Sequence, residues 1–277
     1  MAITLSAALR REYDQLFDTC RVRPERRDDV EWVVDKLAAN RSRYAAVTER
    51  RGVPWAFVAL VHQMESGCDF ASHLHNGDPL DARTVRVPAG RPRGGSPPFS
   101  WEESAADAMA LKRLSSSTDW SLAGMLYQLE RYNGWGYRKY HPEVLSPYLW
   151  SFSEHYTAGK YVADGRWSDT AVSRQCGAAV VLRRMAENGL VDFIDRPGAT
   201  PDTDTADEPR TQEPLVSRHA MRRAAQAAEA QRAEELQRWL NTFPGIFLRA
   251  DGIPGDRTSD AFRRVTGSYL PGDPRIA

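Results

Sequence analysis

The run Pro-Trp-Ala-Phe-Val-Ala-Leu-Val-His-Gln-Met-Glu at 54–65 constrains this chain more than any other feature. Proline suits the first turn of a helix, where its missing N–H would be unpaired anyway. Between 55 and 64 only His62 and Gln63 are polar, so the predicted helix is apolar nearly all round. Such a helix must be surrounded by other elements in the middle of a domain. Ser66-Gly67 ends it and leaves Glu65 in its last turn.

Around this helix the pattern is mainly helical. Apolar residues near helical spacing predict packing helices over 7–17 (Ala8, Leu9, Tyr13, Leu16, Phe17) and 28–43 (Val30, Val33, Val34, Leu37). Residues 72–99 are the least regular region: Asn76-Gly77 is a turn signal, 84–88 is a candidate short strand, and 91–98 is a Pro/Gly-rich loop. Ser100 and Glu103 form a capping-box pattern that starts a helix to about 114. Another runs over 121–131 on a stripe of Leu122, Met125, Leu126 and Leu129, stopping at Asn133-Gly134. An aromatic loop region follows (146–151 and 159–167), and a helix over 170–188 closes the unit. Residues 195–215 hold four prolines and many Asp, Thr and Glu with little to bury, as in a linker. The domains are therefore read as 1–194, a linker at 195–216, and a helical module at 217–277.

Charge excludes some partners. Basic and acidic residues number 37 each, so the excess expected of a dedicated nucleic-acid binder is missing. Arginines at 218–238 alternate with Glu229, Glu234 and Glu235, as on a solvated helix face. No stretch approaches the ~20 apolar residues of a membrane span. The start of the chain lacks the basic region of a secretory signal, so synthesis in the cytoplasm is expected. Cys20, Cys68 and Cys176 are far apart and form no CxxC pair, which argues for reduced thiols.

Glu65 is the residue most suited to chemistry. On a nearly all-apolar helix a carboxylate loses water, which disfavours its charged form and raises its pKa. The negative end of the helix dipole pushes the same way. A carboxyl still protonated near neutral pH can donate to a leaving-group oxygen. By periodicity alone, a solvent-facing carboxylate or a cap partner at the helix end is an equally open reading.

The segment 53–70 resembles the catalytic helix of soluble lytic transglycosylases and goose-type lysozymes, in which an apolar helix ends in Glu-Ser. The resemblance implies that Glu65 is the catalytic acid and Ser66 its companion. The family also carries Tyr-Asn-(Ala/Gly) on a later helix facing the glutamate and the sugar. Tyr132-Asn133-Gly134 stands 67 residues after Glu65, two helices later. The family's usual Ala-Tyr-Asn-Ala-Gly reads Arg131-Tyr132-Asn133-Gly134-Trp135 here, and the loop between the two motifs is longer. The resemblance covers about residues 45–190.

A second resemblance lies near the C-terminus. Glu235-Leu236-Gln237, Leu240-Asn241, Leu248, Asp251-Gly252, Gly255, Thr258 and Ala261-Phe262 are similar to the small three-helix peptidoglycan-binding domain. It implies that Asp251, Gly252 and Thr258 belong to a wall-binding module, although the expected final Phe-Gln is replaced by residues 263–267.

Together the resemblances imply a mainly α, lysozyme-like domain joined to a wall-binding module. The implied function is cleavage of the β-1,4 bond between N-acetylmuramic acid and N-acetylglucosamine at the cell wall. The implied partner is the peptidoglycan glycan strand, with no cofactor or metal, and the chain is expected to be a monomer. Hydrolysis by inversion would need a second carboxylate as base. Asp78 is the candidate, because goose-type lysozymes place aspartates shortly after the glutamate, and Asp69 comes next. An Asp after Asn-Gly can equally be a turn stabiliser. Trp135, Tyr137, Tyr148, Trp150 and Tyr161 are candidates to line a glycan groove, or to fill the core. Two rival functions remain. One is a zinc amidase or endopeptidase, because His62, Glu65, His73 and His75 crowd one region without HExxH spacing. The other is a wall-binding protein without activity.

Overall fold

A computed structural model describes residues 3–163, 165–193, 217–219 and 227–276. The chain forms two compact units, Met1–Arg184 and Met185–Ala277. The expected linker at 195–216 lies outside the described residues.

The first unit is helical: α1 (Ala7–Asp18), α2 (Arg27–Ala39), α3 (Arg41–Arg51), α4 (Trp55–Ser66), α5 (Trp101–Leu111), α6 (Leu122–Asn133) and the short α7 (Gly136–Tyr140) and α8 (Pro147–Trp150). An antiparallel hairpin, β1 (Lys160–Ala163) and β2 (Arg166–Ser168), precedes α9 (Ala178–Glu187). The division between the units falls inside α9. Mainly α architecture is therefore what the periodicities predict. Among the described residues no helix is long and apolar enough to cross a membrane.

The apolar run becomes α4, and every residue from 56 to 63 is buried. Burying each Phe, Val or Leu of that run contributes about 1.5–3 kcal/mol, so α4 organises the packing around it. The α2, α3 and α6 helices pack against it, and α3 also packs on α5. A cluster of rings seals its C-terminal half: Tyr44 of α3, His62, Phe70 and Trp101 of α5, with His62 and Trp101 centroids 4.4 Å apart. The Ser100/Glu103 capping box starts α5 as expected.

Several local expectations change. The helix read over 28–43 is broken at Asn40 into α2 and α3, and the segment 146–151, read as loop, contains the short helix α8, opened by Pro147. Residues 84–88 form no strand, because their amides are used locally: Val85 and Arg86 N–H donate to Asp78, and Thr84 Oγ1 donates to Pro88 O. With no neighbouring strand, Val85 and Val87 point outward. The segment 159–167, read as loop, contains most of the hairpin, in which Lys160 pairs with Ser168 and Tyr161 with Trp167. The last helix of the unit begins at Ala178, not near 170, since residues 171–177 are needed as an irregular strap alongside α4 and α8.

The second unit continues through α10 (Ala227–Leu240) and α11 (Asp256–Thr266), whose core is Leu236, Leu240, Ile246, Leu248, Ala261 and Leu270. Asn241 fixes the connection between them by exchanging two hydrogen bonds with the backbone of Leu248.

Gly177 is the tightest joint between α9 and the α8 segment. A Cβ there would lie 2.3 Å from Leu149 O and 2.7 Å from Ser151 N, both backbone atoms that cannot rotate away. Gly177→Ala is expected to cost about 1–3 kcal/mol by overpacking, read as a lower urea midpoint; an unchanged midpoint would mean that this joint yields freely.

Candidate active site

Glu65 stands on the last turn of α4, with Gly67 as a left-handed C-cap. The helix end is stitched from three directions. Gln175 Nε2 donates to Gln63 O (3.1 Å) and Met64 O (2.7 Å), Lys36 Nζ donates to Gly67 O (2.9 Å), and Ser66 Oγ donates back to His62 O (3.2 Å). Carbonyls that a helix leaves unpaired at its C-terminus are thus satisfied, and the turn carrying Glu65 is held in place.

The Glu65 side chain is accessible to solvent. Its carboxyl is nevertheless raised above its ordinary pKa, first by desolvation. Both hold for a carboxyl at the edge of the packed core, partly surrounded by protein and reachable from outside. Two groups oppose the shift: the Tyr148 hydroxyl, which donates to Glu65 Oε1 at 2.9 Å, and the positive charge of Lys112. Tyr132 completes the cluster. Its own pKa is raised by burial and then by the charge of Glu65, so its hydroxyl stays protonated. Lys112 Nζ lies over the Tyr132 ring, 4.5 Å from the centroid. Among the described residues the Tyr132 hydroxyl makes no hydrogen bond, and neither does the side chain of Asn133, which is exposed at the end of α6.

The structure therefore brings Glu65, Ser66 and Tyr132 together. It adds Tyr148, Lys112 and Gln175, which sequence reasoning did not place against Glu65. Tyr148 was visible only as one aromatic among several, and Lys112 and Gln175 carried no local signal. Of the other candidate groove aromatics, Trp150 is fully buried in the core and Tyr137 is buried, whereas Trp135 and Tyr161 are half-buried.

Asp78 has a different position. It is buried and accepts from the N–H groups of Val85 (2.8 Å) and Arg86 (3.0 Å) and from Asn76 Nδ2 (3.1 Å), with Arg86 Nε 3.1 Å from its other oxygen. These donors hold its pKa below the usual carboxylate range. Such a carboxylate clamps the 76–86 loop and is a poor base, because accepting a proton would break the clamp. Asp69 likewise binds Ala71 N and Ser72 Oγ within its own turn. No carboxylate is among the groups that shift Glu65.

The histidines are also committed. His62 Nε2 faces Asp69 O at 3.0 Å, so it carries the proton, and Nδ1 accepts from Tyr44 OH at 3.2 Å. Burial lowers its pKa to about 4, which keeps it neutral at pH 7. His73 bridges Ser104 Oγ (2.7 Å) and Ala82 O (2.8 Å), and His75 Nε2 meets Asp107 Oδ2 at 2.9 Å. Arg91 Nε pairs with the same Asp107 oxygen at 3.0 Å. These contacts pin the 71–99 loop to α5. Among the described residues no three His, Cys, Asp or Glu side chains are grouped to hold a metal ion.

In the second unit Gly252 and Thr258 are buried, whereas Asp251 is exposed. Gln237 is buried on α10; its Oε1 accepts from Asp251 N (2.9 Å) and Gly252 N (3.0 Å), and its Nε2 donates to Asp251 Oδ1 (3.1 Å), Ile253 O (3.2 Å) and Thr258 Oγ1 (3.3 Å). Gly252 has φ +73°, and a Cβ there would lie 2.7 Å from Ala230 O. Asp251, Gly252 and Thr258, candidate wall-binding residues by resemblance, thus hold the turn onto α10.

Two cavities of about 270 and 310 Å³ are lined by Arg23, Phe152 and Tyr156 and by Glu130, Arg138 and Ser146, respectively, and neither includes Glu65. Compared with family models, with curated proteins and with solved structures, the chain matches none.

Two outcomes follow from the electrostatics. Tyr148 donates to the carboxylate and so favours the charged form. Tyr148→Phe is expected to raise the Glu65 pKa further, and carbon-detected NMR of the carboxyl would read it; a downward shift would show that the hydroxyl does not stabilise the anion. Glu65 also has a folded-state pKa above its unfolded one, so its contribution to stability is full at acid pH and is lost as pH rises through the folded value. Glu65→Gln should therefore match wild type in Tm at pH 4 and exceed it at pH 8. The reverse order would mean that the ionised carboxylate stabilises the fold.

Proposed function

We propose that the chain cleaves the β-1,4 glycosidic bond between N-acetylmuramic acid and N-acetylglucosamine in peptidoglycan, with Glu65 as the acid. The observation that carries the reading is Glu65 itself: a carboxyl whose pKa desolvation raises, accessible from outside and hydrogen-bonded by Tyr148. A carboxyl whose affinity for its proton is raised, and which can meet substrate, suits protonation of a departing glycosidic oxygen.

The surroundings favour a one-acid mechanism. Hydrolysis by inversion needs a second carboxylate to activate water, whereas Asp78 and Asp69 are bound within their own loops. The 6-hydroxyl of the muramic acid can attack C1 instead. Glu65 gives its proton to the bridging oxygen as the C1–O bond breaks. The 6-hydroxyl oxygen bonds to C1 and its proton passes to the Glu65 carboxylate, leaving a 1,6-anhydro end without consuming water. Lys112 offsets part of the negative charge formed on Glu65 between these steps. Tyr132 OH and Asn133, both without hydrogen bonds among the described residues, are placed to receive polar groups of the sugar. The second unit would keep the enzyme on the wall and raise the effective substrate concentration.

Mass spectrometry of the material released from purified peptidoglycan tests this directly. Wild type should release anhydro-muropeptides, Glu65→Gln should lose at least about a hundredfold in rate, and EDTA should have no effect. Reducing ends would replace transglycosylation by hydrolysis, and free peptides or EDTA sensitivity would replace the glycosidase by a metal-dependent peptidase. Sedimentation with the wall and no release by folded wild-type protein would leave a binding role.

A further inference from the structure

Trp32 is 64% exposed, unusual for the largest apolar side chain. It lies on α2, whose buried side is made by Val30, Val33, Val34 and Leu37. Residues 32 and 36 are one turn apart and share a face. Lys36 Nζ sits over the Trp32 ring, 5.1 Å from its centroid, and donates to Gly67 O at 2.9 Å. Gly67 is two residues beyond Glu65 and caps the helix that carries it. The indole is thus tied through one ammonium group to the turn that holds the proposed acid.

The charges are arranged accordingly. The chain has four lysines against 33 arginines, and two of the four flank the end of α4. Lys36 acts electrostatically on Cys68 and Asp69, immediately after the helix, and Lys112 acts on Glu65. An exposed indole with an ammonium group at its ring fits a ligand with a flat C–H face and a negative substituent. Sugar rings have such faces, and the lactyl and peptide carboxylates of a wall glycan supply the charge.

We infer that Trp32 and Lys36 form a sugar-binding subsite beside Glu65, where one ring of an acidic glycan stacks on the open indole face and its carboxylate meets Lys36. The inference rests on the proposed glycan cleavage and specifies its substrate: an acidic glycan rather than a neutral one such as chitin. Lys36 serves both sides of the contact. It orients the indole by cation–π attraction, and its remaining N–H groups are available to the ligand.

The test uses the full chain with soluble, uncross-linked peptidoglycan strands, and chitotetraose as the neutral probe. Trp32→Ala should reduce kcat/KM on the strands about tenfold through KM, on the scale of one lost aromatic contact. Trp32→Tyr should keep most of it. In the Glu65→Gln background, Lys36→Met should weaken binding of the strands severalfold more than binding of chitotetraose, which loses only the orientation of the indole. An unchanged KM for Trp32→Ala with a wild-type Tm would overturn the subsite, and so would equal losses on the acidic and neutral probes for Lys36→Met. If Trp32→Ala fails to fold, Trp32→Ser and Trp32→Tyr supply the same KM comparison, and an identical KM for both again overturns it. The two proposals fail separately: release that persists in Glu65→Gln removes the glycosidase reading, whereas a normal KM in Trp32→Ala with an inert Glu65→Gln removes the subsite alone.

Discussion

A helix that is apolar on all sides can exist in water only if something covers every side, and most of the first unit is arranged to do this for α4. The helices α2, α3 and α6 supply the walls, and Tyr44, Phe70 and Trp101 close around His62 near its end. Once residues 56–63 are covered, the C-terminal turn is where this helix meets solvent. That leaves Glu65 at the boundary between a dry core and an open surface. The raised pKa of this carboxyl is a consequence of how the helix must be buried.

The boundary sets the electrostatics. Desolvation favours the neutral carboxyl, while Tyr148 and Lys112 favour the carboxylate, and the first effect prevails. A fully sealed carboxyl would hold its proton more tightly but could not reach a substrate; a fully wetted one would lose it well below pH 7. The arrangement has a cost, because a carboxyl whose ionised form is disfavoured by the fold weakens that fold at neutral pH. Under the proposed function, stability would be given up where reactivity is needed, a common trade-off at functional sites.

What could be read beforehand divides by the range of the interaction. The all-round apolar run, the Ser100/Glu103 capping box and the stop at Asn133-Gly134 are set by neighbours three or four positions away, so the sequence displays them. The Tyr148–Glu65 bond joins residues 83 apart and the Gln175 bonds span 111 and 112, and no local pattern marks such pairs. The opposite error arises at 84–88, where Thr-Val-Arg-Val has strand-like alternation but the backbone donors go to Asp78 instead of a ladder. The first glutamate of the proposed chemistry was legible, while its hydrogen-bond donor and its nearby cation were not.

Residues that define a motif need not be the ones that meet a ligand, and the distinction is a matter of hydrogen bonding. A buried polar group must be satisfied or it costs free energy. Asp78, Thr258, His62 and His73 are buried and satisfied by other parts of the chain. A ligand could bind them only by displacing bonds the fold relies on, so their signature in the sequence is that of a turn or a loop. Glu65 accepts one bond where an ionised carboxylate can take about four. Among the described residues Tyr132 OH and the Asn133 side chain make no hydrogen bond, and Trp32 is largely exposed. Of these, Tyr132 stands beside Glu65 at the terminal turn of α4, whereas the satisfied groups brace the loops. The C-terminal motif therefore argues for the fold of the second unit, through Gln237, and leaves any wall contact to surface residues outside that network.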